Sequence, residues 1–539
     1  MTDAKRRQIL GFGAALGVAG AFPLPLLARS ASGAADPVAG GTLVLAEFPE
    51  PTLLTSALIA AAPTNNISPK IFDGLLYYDV ETLEPKPQLA ERWEESEDGL
   101  TLTFFLRDGV RWHDGQPFTS ADVAFTITEV LLQFNSRGKA IYGNVTAVDT
   151  PDPLTVVLRL SKPAPYILAG LSSWISQILP RHLYEGTDFM TNPHNTAPVG
   201  TGPYKLAGWE RGNYMRLVRN EDYWDQPRPY LDGILYRFLP DSASRAAALE
   251  AGDVHVVAES KVPGSDLVRL REDPRLEYET KGYALLASMQ FFQFNLKNPK
   301  FQDVRVRRAF AHAIDRDFIV RNIWYGYGSA ATGPLSPVLT TFYSEEVPAY
   351  PFDPAKAEAL LDEAGFPRGA DGIRMRIVHD AAQNGEAFPR TAEYLRDALG
   401  KIGIAVEVRI SDFASFSRRV YTDRDFETAN YYTSCGPDPA IGAQRIYWSQ
   451  AYVDGVSYSN GSGYDNPDMD RILETAQAEP DAATRRALYA DFQRLAMEEL
   501  PEIPLVAMQF VTITAREAHD VSSKADGIKA NLADAWIES

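Results

Sequence analysis

Patterns typical of strands and of helices alternate through the second half of this sequence. A helical pattern covers 353–365, beginning at an Asp-Pro pair and ending at a glycine, and an apolar strand pattern follows over 374–379. A helix over 391–401, a strand over 405–410 and a long helix over 481–499 continue the alternation. Strands that alternate with helices predict an α/β fold, in which helices cover a sheet.

The first half adds strands and one long helix. A strand over 41–46 comes first, and two alternating runs around Asp98-Gly99 predict a β-hairpin. Residues 119–134 have a helical pattern with a threonine or serine cap. Asp303 is expected to open a further helix with an apolar face and a solvated arginine face. The apolar face comprises Val306, Phe310, Ile314 and Phe318. The solvated face comprises Arg305, Arg307 and Arg308.

The first 35 residues have the order of a signal peptide. Lys5, Arg6 and Arg7 precede a glycine-rich apolar stretch over 9–27, and small residues over 30–35 offer cleavage sites. The paired arginines favour export of a folded protein by the twin-arginine route over an ordinary Sec signal. The roughly 500 residues that remain exceed what one hydrophobic core organises, so two or three lobes are expected.

Charge and cysteine content exclude several classes of protein. The formal net charge is −19, which argues against nucleic acid and anionic membrane surfaces as partners. Cys435 is the single cysteine, so an internal disulfide, a CxxC redox pair and a cysteine zinc cluster are excluded. It lies far from the leader, so it is not the lipid-bearing first residue of a mature lipoprotein. An exported protein without an anchor must be retained by an outer barrier, so the periplasm is expected, and we expect a monomer.

Sequence patterns of enzyme sites are missing. The string G-x-S-x-G does not occur, nor do the phosphate-binding strings G-x-x-x-x-G-K-[ST] and G-x-G-x-x-G. The seven histidines are scattered and none forms an H-x-x-x-H pair. We therefore expect no catalytic residues, no cofactor and no metal site.

Six stretches along the chain carry the motifs of one protein family. They are LAERWEESEDGLTLTFFLRDGVRWHDGQPFTSADVAF (89–125), VGTGPYKL (199–206), NEDYWDQPRPYLDGI (220–234), FFQFNLKNPKFQDVRVRRAFAHAIDRD (291–317), FDPAKAEALLDEAGF (352–366) and GYDNPDMDRIL (463–473). These stretches closely resemble the peptide/nickel type of periplasmic substrate-binding proteins of ABC importers, solute-binding protein family 5. That family carries A-x-x-W, S-x-D-G and a run F-x-L-R-x-G-V-x-[FW]-H-D-G-x-P-F, and 89–125 fills nearly every position.

The resemblance implies a two-lobed periplasmic-binding-protein fold with an extra subdomain on the first lobe. The first lobe would comprise 36–286 with the inserted subdomain, the second 287–504, and 505–539 would return to the first. Such proteins bind a small-molecule or short-peptide solute between the lobes, close, and dock on the permease subunits. The resemblance thus implies transport of an oligopeptide or peptide-like solute, without catalysis.

The solute itself is less determined. Peptide-binding relatives carry W-x-x-D-x-x-[DE]-P, whose first aspartate pairs with the α-amine of the peptide. Here Tyr432 stands at the tryptophan position, Cys435 at the aspartate position and Asp438 before the proline. A neutral thiol cannot replace a carboxylate opposite an ammonium group. Either Asp438 takes the amine, or the solute is a modified peptide, an opine-like conjugate, a sugar derivative or a metal chelate, or the loop is misaligned.

Further binding candidates surround this motif. Arg445 could bind a carboxylate or phosphate, and aromatic side chains could stack on an apolar or sugar face, although lobe packing explains them equally well. Two residues at the end of the first strand stand where the family places its first-lobe cleft residues. The candidate binding residues are Glu47, Phe48, Tyr431, Tyr432, Cys435, Asp438, Arg445 and Trp448.

Two rival functions stay open from the sequence. The same scaffold serves chemoreceptor partners and peptide chaperones of the periplasm. A periplasmic enzyme is the third possibility, and it rests only on the twin-arginine leader, which often accompanies cofactor proteins.

Overall fold

The computed structural model describes residues 36–383 and 385–538. The predicted signal peptide over 1–35 lies outside these residues. From Val38 onward, the described residues form one compact unit.

The described residues form 21 strands. They are β1 (Thr42–Glu47), β2 (Leu76–Tyr78), β3 (Pro85–Pro87), β4 (Ala90–Glu95), β5 (Thr101–Leu106), β6 (Val145–Asp152), β7 (Thr155–Leu160), β8 (Tyr204–Glu210), β9 (Tyr214–Arg219), β10 (Gly233–Phe238), β11 (Val256–Val257), β12 (Leu276–Glu279), β13 (Ser288–Phe294), β14 (Gly328–Ala330), β15 (Met375–Ala382), β16 (Ile404–Ser411), β17 (Thr428–Ser434), β18 (Glu502–Met508), β19 (Thr512–Ala515), β20 (Ala518–His519) and β21 (Trp536–Ile537).

The same residues form 15 α-helices, besides short 3₁₀ and π turns. They are α1 (Ala62–Ile67), α2 (Ser120–Phe125), α3 (Leu132–Phe134), α4 (Ser136–Tyr142), α5 (Arg181–Tyr184), α6 (Ser242–Ala251), α7 (Gly264–Leu270), α8 (Val304–Ala313), α9 (Arg316–Asn322), α10 (Pro354–Glu363), α11 (Ala387–Lys401), α12 (Phe413–Arg418), α13 (Gln444–Tyr447), α14 (Pro467–Ala478) and α15 (Ala482–Glu499).

Two mixed sheets organise the chain. The first has seven strands in the order β12-β19-β11-β1-β10-β9-β8, with β1 parallel to both β10 and β11. The second has six strands in the order β14-β18-β13-β17-β15-β16, with β15 parallel to β16 and β17. Separate clusters of buried apolar side chains accompany the two sheets. We call the part built around the first sheet the first lobe and the other part the second lobe.

The chain crosses between the sheets twice. It leaves the first sheet after β12 and enters the second at β13, and it returns between β18 and β19. The second sheet therefore extends to Met508, and the first sheet resumes at Thr512. The two crossings are close to each other, because the hydroxyl of Tyr283 on the first is 2.6 Å from that of Thr512 at the end of the second. The first crossing also contacts the end of β17, where Ser434 Oγ donates to Leu286 O at 2.6 Å.

The stretch between β4 and β7 forms a sheet of its own. Its four strands are antiparallel in the order β4-β5-β7-β6, and the predicted Asp98-Gly99 turn joins β4 to β5. Helices α2 to α4 lie between β5 and β6 in the chain and share the apolar core of the first lobe. The insertion is therefore an additional subdomain of that lobe.

The helix expected from Asp303 differs from the prediction in two respects. It ends at Ala313, and Asp315 begins a second helix by accepting a hydrogen bond from Phe318 N at 2.9 Å. The predicted solvated arginine face is also wrong at Arg307, which is 5% exposed. Arg307 donates to main-chain carbonyls of Phe301, Gln302, Glu499 and Leu500. Unsatisfied carbonyls at the end of α15 thus attract a cation that the sequence pattern places on the surface.

Candidate functional site

Glu47, at the end of β1, is buried and already has partners within the first lobe. Its carboxylate accepts hydrogen bonds from Asn66 Nδ2 at 3.0 Å and from Lys261. Lys261 also lies 3.0 Å from a carboxylate oxygen of Glu259, which pairs in turn with Lys529. Burial alone would raise the pKa of Glu259, but the charges of Lys529 and Lys261 lower it overall. The four side chains form a neutralised ionic network.

Phe48, the next residue, is partly exposed, whereas Glu47 is buried. Phe48 is 39% exposed, and the guanidinium of Arg245 lies 5.9 Å from its ring centroid. A partly exposed ring beside a cation is available to stack on a solute.

In the second lobe, alternation along β17 separates two neighbouring tyrosines. Tyr431 is buried, donates its hydroxyl to Glu502 at 2.6 Å and stacks on Phe291 at 5.7 Å between ring centroids. Tyr432 points to the other face, is half-buried and stacks on Phe388 at 5.1 Å. Successive residues of a strand face opposite sides, so these rings cannot act on one ligand face together.

Cys435 follows β17 directly and lies beside the first crossing between the sheets. Its N–H donates to Ala287 O at 3.4 Å, and its side chain is fully buried in the apolar cluster of the second lobe. Burial raises the pKa of the thiol to about 12. The side chain is therefore neutral at physiological pH.

Asp438 is held by a cation of its own lobe. Its carboxylate forms two hydrogen bonds with the Arg485 guanidinium, at 2.6 and 2.8 Å, and also accepts from Ala440 N at 2.9 Å. Trp448 lies further along, with its indole N–H donating to Glu474 at 3.0 Å. The polar groups of both side chains are thus engaged within the protein.

Arg445, on α13, differs from Asp438 because its hydrogen bonds go to neutral groups. Its Nη2 donates to Thr433 Oγ1 at 2.8 Å and to Ser434 O at 3.2 Å, while its Nε is buried and meets no acceptor among the described residues. In the part of the chain that the structure describes, no acidic oxygen lies within 4.0 Å of this guanidinium. An arginine so placed can bind an external anion.

Comparison with known proteins identifies the family. A family model described as bacterial extracellular solute-binding proteins, family 5 (middle region), matches residues 84–456, which is more than half of the chain. The chain belongs to this family. The predicted family is thus confirmed, and so is the predicted two-lobed α/β fold.

Family-5 relatives of this chain differ in the solutes that their names state. The oligopeptide-binding protein AppA of Bacillus subtilis is 28% identical over 485 residues, covering 87% of this chain and 86% of the relative. The structure of NikZ from Campylobacter jejuni in complex with Ni(L-His) has a TM-score of 0.78 and 26% identity, and the match covers 92% of this chain and 99% of the NikZ chain. The structure of AgaA of A. tumefaciens R10, in complex with agropinic acid, has a TM-score of 0.75 and 27% identity, and the match covers 93% of this chain and 99% of the AgaA chain.

Several charged side chains near the candidate binding residues were not predicted from the sequence. Glu259, Lys261 and Lys529 surround Glu47, and Arg137 of the first lobe lies near Arg445. These residues come from distant parts of the chain and share no local pattern, so no signal in a single sequence marks them.

Metal ligands and membrane spans are the remaining classes of functional feature. Residues 36–383 and 385–538 contain no cluster of three or more His, Cys, Asp or Glu side chains able to hold a metal ion. Among the same residues, none of the helices has both the length and the apolar character needed to span a membrane.

Proposed function

We propose that this family-5 protein is the solute receptor of an ABC importer, and that it closes its lobes around an oligopeptide or peptide-like solute. The observation that carries the proposal is the family match over a chain whose two sheets are joined by two crossings. Two adjacent crossings allow the lobes to rotate about a common hinge, and a solute that contacts both lobes stabilises the closed state.

The class of solute is proposed from the relatives. AppA is named as oligopeptide-binding, and its chain and this one cover each other over most of their lengths. The proposed lobe boundaries lie near residue 287 and between Met508 and Thr512, and they are supported by the positions of the strands in the two sheets. Within this frame the proposed solute contacts are Phe48 of the first lobe, and Tyr432 and Arg445 of the second.

The remaining parts of the proposal are export, delivery and the absence of catalysis. The leader over 1–35 would direct the protein to the periplasm, where the closed, loaded form would dock on the permease subunits as a monomer. A binding protein of this kind needs no catalytic residues or cofactor, because the solute leaves unchanged.

The proposal is tested by identifying the solute directly. The protein is purified without refolding, analysed by native mass spectrometry for a retained solute, and then screened by thermal shift against short peptides, glutathione, Ni(L-His) and agropinic acid. A receptor for peptides gives a rise in Tm that grows with peptide concentration. A rise with another class of compound, and none with any peptide, would overturn the peptide proposal while leaving the receptor role.

A further inference from the structure

Two arginines on opposite lobes have no anionic partner among the described residues. The side chain of Arg137, on α4 of the first lobe, makes no hydrogen bond or ion pair with any of them, and its Nη1 is buried. Its guanidinium lies 4.9 Å from the ring centroid of Trp174. Arg445 of the second lobe is bonded only to a hydroxyl and a main-chain carbonyl within the same residues, and its Nε is likewise buried and unpartnered. Buried donors without acceptors are rare in folded proteins and mark places where a missing group belongs.

These guanidiniums face the same region between the lobes. Helix α4 contacts the 3₁₀ turn Pro439–Ile441, which leads into α13, and Ala440 and Ile441 pack against the apolar core of the first lobe. Burial, and next the positive charge of Arg445, lower the pKa of Arg137 to about 10. Arg137 therefore remains charged at neutral pH, and an anion between the two guanidiniums would relieve their repulsion.

Arg137 is held in position by its surroundings. The side chain of Asn135 caps α4 by accepting from Arg137 N at 2.9 Å, and it donates to Ser56 O at 2.9 Å. Trp174, on which the guanidinium lies, donates its indole N–H to the buried Asp526 at 2.6 Å. Hydrogen bonds within the first lobe thus position both the start of α4 and the ring beneath the guanidinium.

The acidic side chains around this region already have ion-pair or hydrogen-bond partners within the protein, including Asp526, which accepts from Trp174. Asp438 pairs with Arg485, and Glu47 and Glu259 pair with Lys261 and Lys529. An ammonium group entering here would meet carboxylates that are already paired, whereas an oxyanion would meet two guanidiniums that are not. The position at which peptide-binding relatives carry an aspartate is the neutral, buried Cys435.

We propose that Arg137 and Arg445 together bind a carboxylate of the solute and so tie the two lobes in the closed state. This inference rests on the proposed receptor function and adds the chemical group that the solute must carry. Guanidinium forks match carboxylates in geometry and form charge-assisted hydrogen bonds. The C-terminus of a peptide, an acidic side chain or an organic acid would each supply such a carboxylate.

The first test needs no knowledge of the natural solute. The Tm of the protein is measured in sodium succinate and in sodium chloride at equal ionic strength, for the wild type and for Arg137→Gln, Arg445→Gln and the double variant. We expect succinate to raise the Tm of the wild type and to have no specific effect on the double variant. Arg216→Gln, an exposed arginine of β9 without an ion pair among the described residues, is the control and should respond like the wild type. An equal succinate effect in the wild type and the double variant, or none in either, would overturn the proposal.

The second test distinguishes the sources of the carboxylate. Tri-alanine, its C-terminal amide, its N-acetyl form, glutathione and agropinic acid are compared by calorimetry. If the peptide C-terminus is bound, amidation lowers affinity about tenfold or more, N-acetylation changes it little, and each single arginine variant reproduces the effect of amidation. Because both arginines bind one group, the losses in the single variants should not add in the double variant.

The two proposals fail in different ways. Peptides that bind the wild type and the double variant equally would refute the arginine pair and leave the peptide receptor intact. Organic acids that bind only when both arginines are present, with no binding of any peptide, would support the arginine pair and refute the peptide solute. Arg137→Lys and Arg445→Lys, which keep the charge and lose the fork, should retain part of the affinity.

Discussion

The carboxylate of Asp438 forms two hydrogen bonds with the guanidinium of Arg485, at 2.6 and 2.8 Å, and the two side chains are 5% and 7% exposed. This pair joins the loop after β17 to helix α15. It also argues against the hypothesis that Asp438 binds the amine of a peptide, since a carboxylate so engaged would first have to abandon a buried cation. Asp438 therefore acts as an anchor of the loop.

Asp438→Asn should destabilise the protein strongly. The substitution leaves the charge of Arg485 buried without its partner, which typically costs about 3–5 kcal/mol. The free energy of unfolding is measured by urea denaturation. The control is Asp491→Asn, which removes a partner of Arg494 at 2.8 Å in a half-exposed pair, and which should cost about 1 kcal/mol or less. Equal losses in the two variants would contradict the anchoring role.

The thiol of Cys435 should be unreactive in the folded protein. It is fully buried, and burial raises its pKa to about 12, so both access and thiolate formation are suppressed. Ellman's reagent should label it slowly under native conditions and completely in concentrated guanidinium chloride. A Ser523→Cys variant in a Cys435→Ser background provides a more accessible thiol that should react at once. Rapid labelling of the folded wild type would show that Cys435 lines an open cleft.

The stability of the protein should depend on pH through Glu502. Burial raises the pKa of this carboxyl to about 8, although Tyr431 and Gln293 donate hydrogen bonds to it at 2.6 and 2.8 Å. The ordinary pKa of the group is 4.5. The folded state retains its proton at pH values where the unfolded state has lost it, so the contribution to stability is complete below about pH 4.5 and is lost as pH rises towards 8.

Glu502→Gln removes this titration and keeps the shape of the side chain. The variant should gain stability relative to the wild type between pH 5 and pH 8, by roughly 1.4 kcal/mol for each pKa unit crossed. Urea denaturation at three pH values measures the difference. Glu498→Gln, a more exposed glutamate on α15, should show a constant offset. A constant offset for Glu502→Gln as well would refute the raised pKa.

Gly442 should tolerate no side chain. A Cβ at this position would overlap the carbonyl group of Cys435 and crowd Gly436 N, and these atoms are backbone that cannot move aside as a flexible side chain could. Gly442→Ala should therefore distort the loop that precedes α13 and lower the free energy of unfolding by about 1–3 kcal/mol. Gly400→Ala, in α11 with no described atom within 4 Å of the new methyl group, should be neutral or stabilising by about 0.5–1 kcal/mol. Similar effects of both substitutions would disprove the crowding.

Export by the twin-arginine route depends on Arg6 and Arg7. Replacing both with lysine keeps the positive charge that a Sec signal requires and removes the paired arginines of the other route. Cell fractionation and immunoblotting should show the precursor retained in the cytoplasm. Unchanged periplasmic accumulation would instead support Sec export.

The sequence predicted local structure well where one residue type has one physical role. The Asp353-Pro354 start corresponds to a helix capped by Asp353, whose carboxylate accepts from Lys356 N at 3.0 Å, and Asp481 caps α15 in the same way. The strand patterns over 374–379 and 405–410 correspond to β15 and β16. Caps and alternation act over a few residues, so they are legible in a single chain. Arg307 was misjudged because its acceptors include carbonyls about 190 residues away.

The sequence by itself determined the family and the α/β class, and it predicted that Cys435 stands where peptide-binding relatives carry an aspartate. Those properties depend on which residues stand at which positions along the chain. Only the tertiary structure decided which charges are available to a solute. It paired Asp438 with Arg485 and Glu47 with Lys261, and it brought Arg137 near Arg445 without supplying either with an acid from the described part of the chain. The physical reason is that charge compensation is a short-range property of buried groups, and the partners come from segments distant in the sequence that meet only after folding.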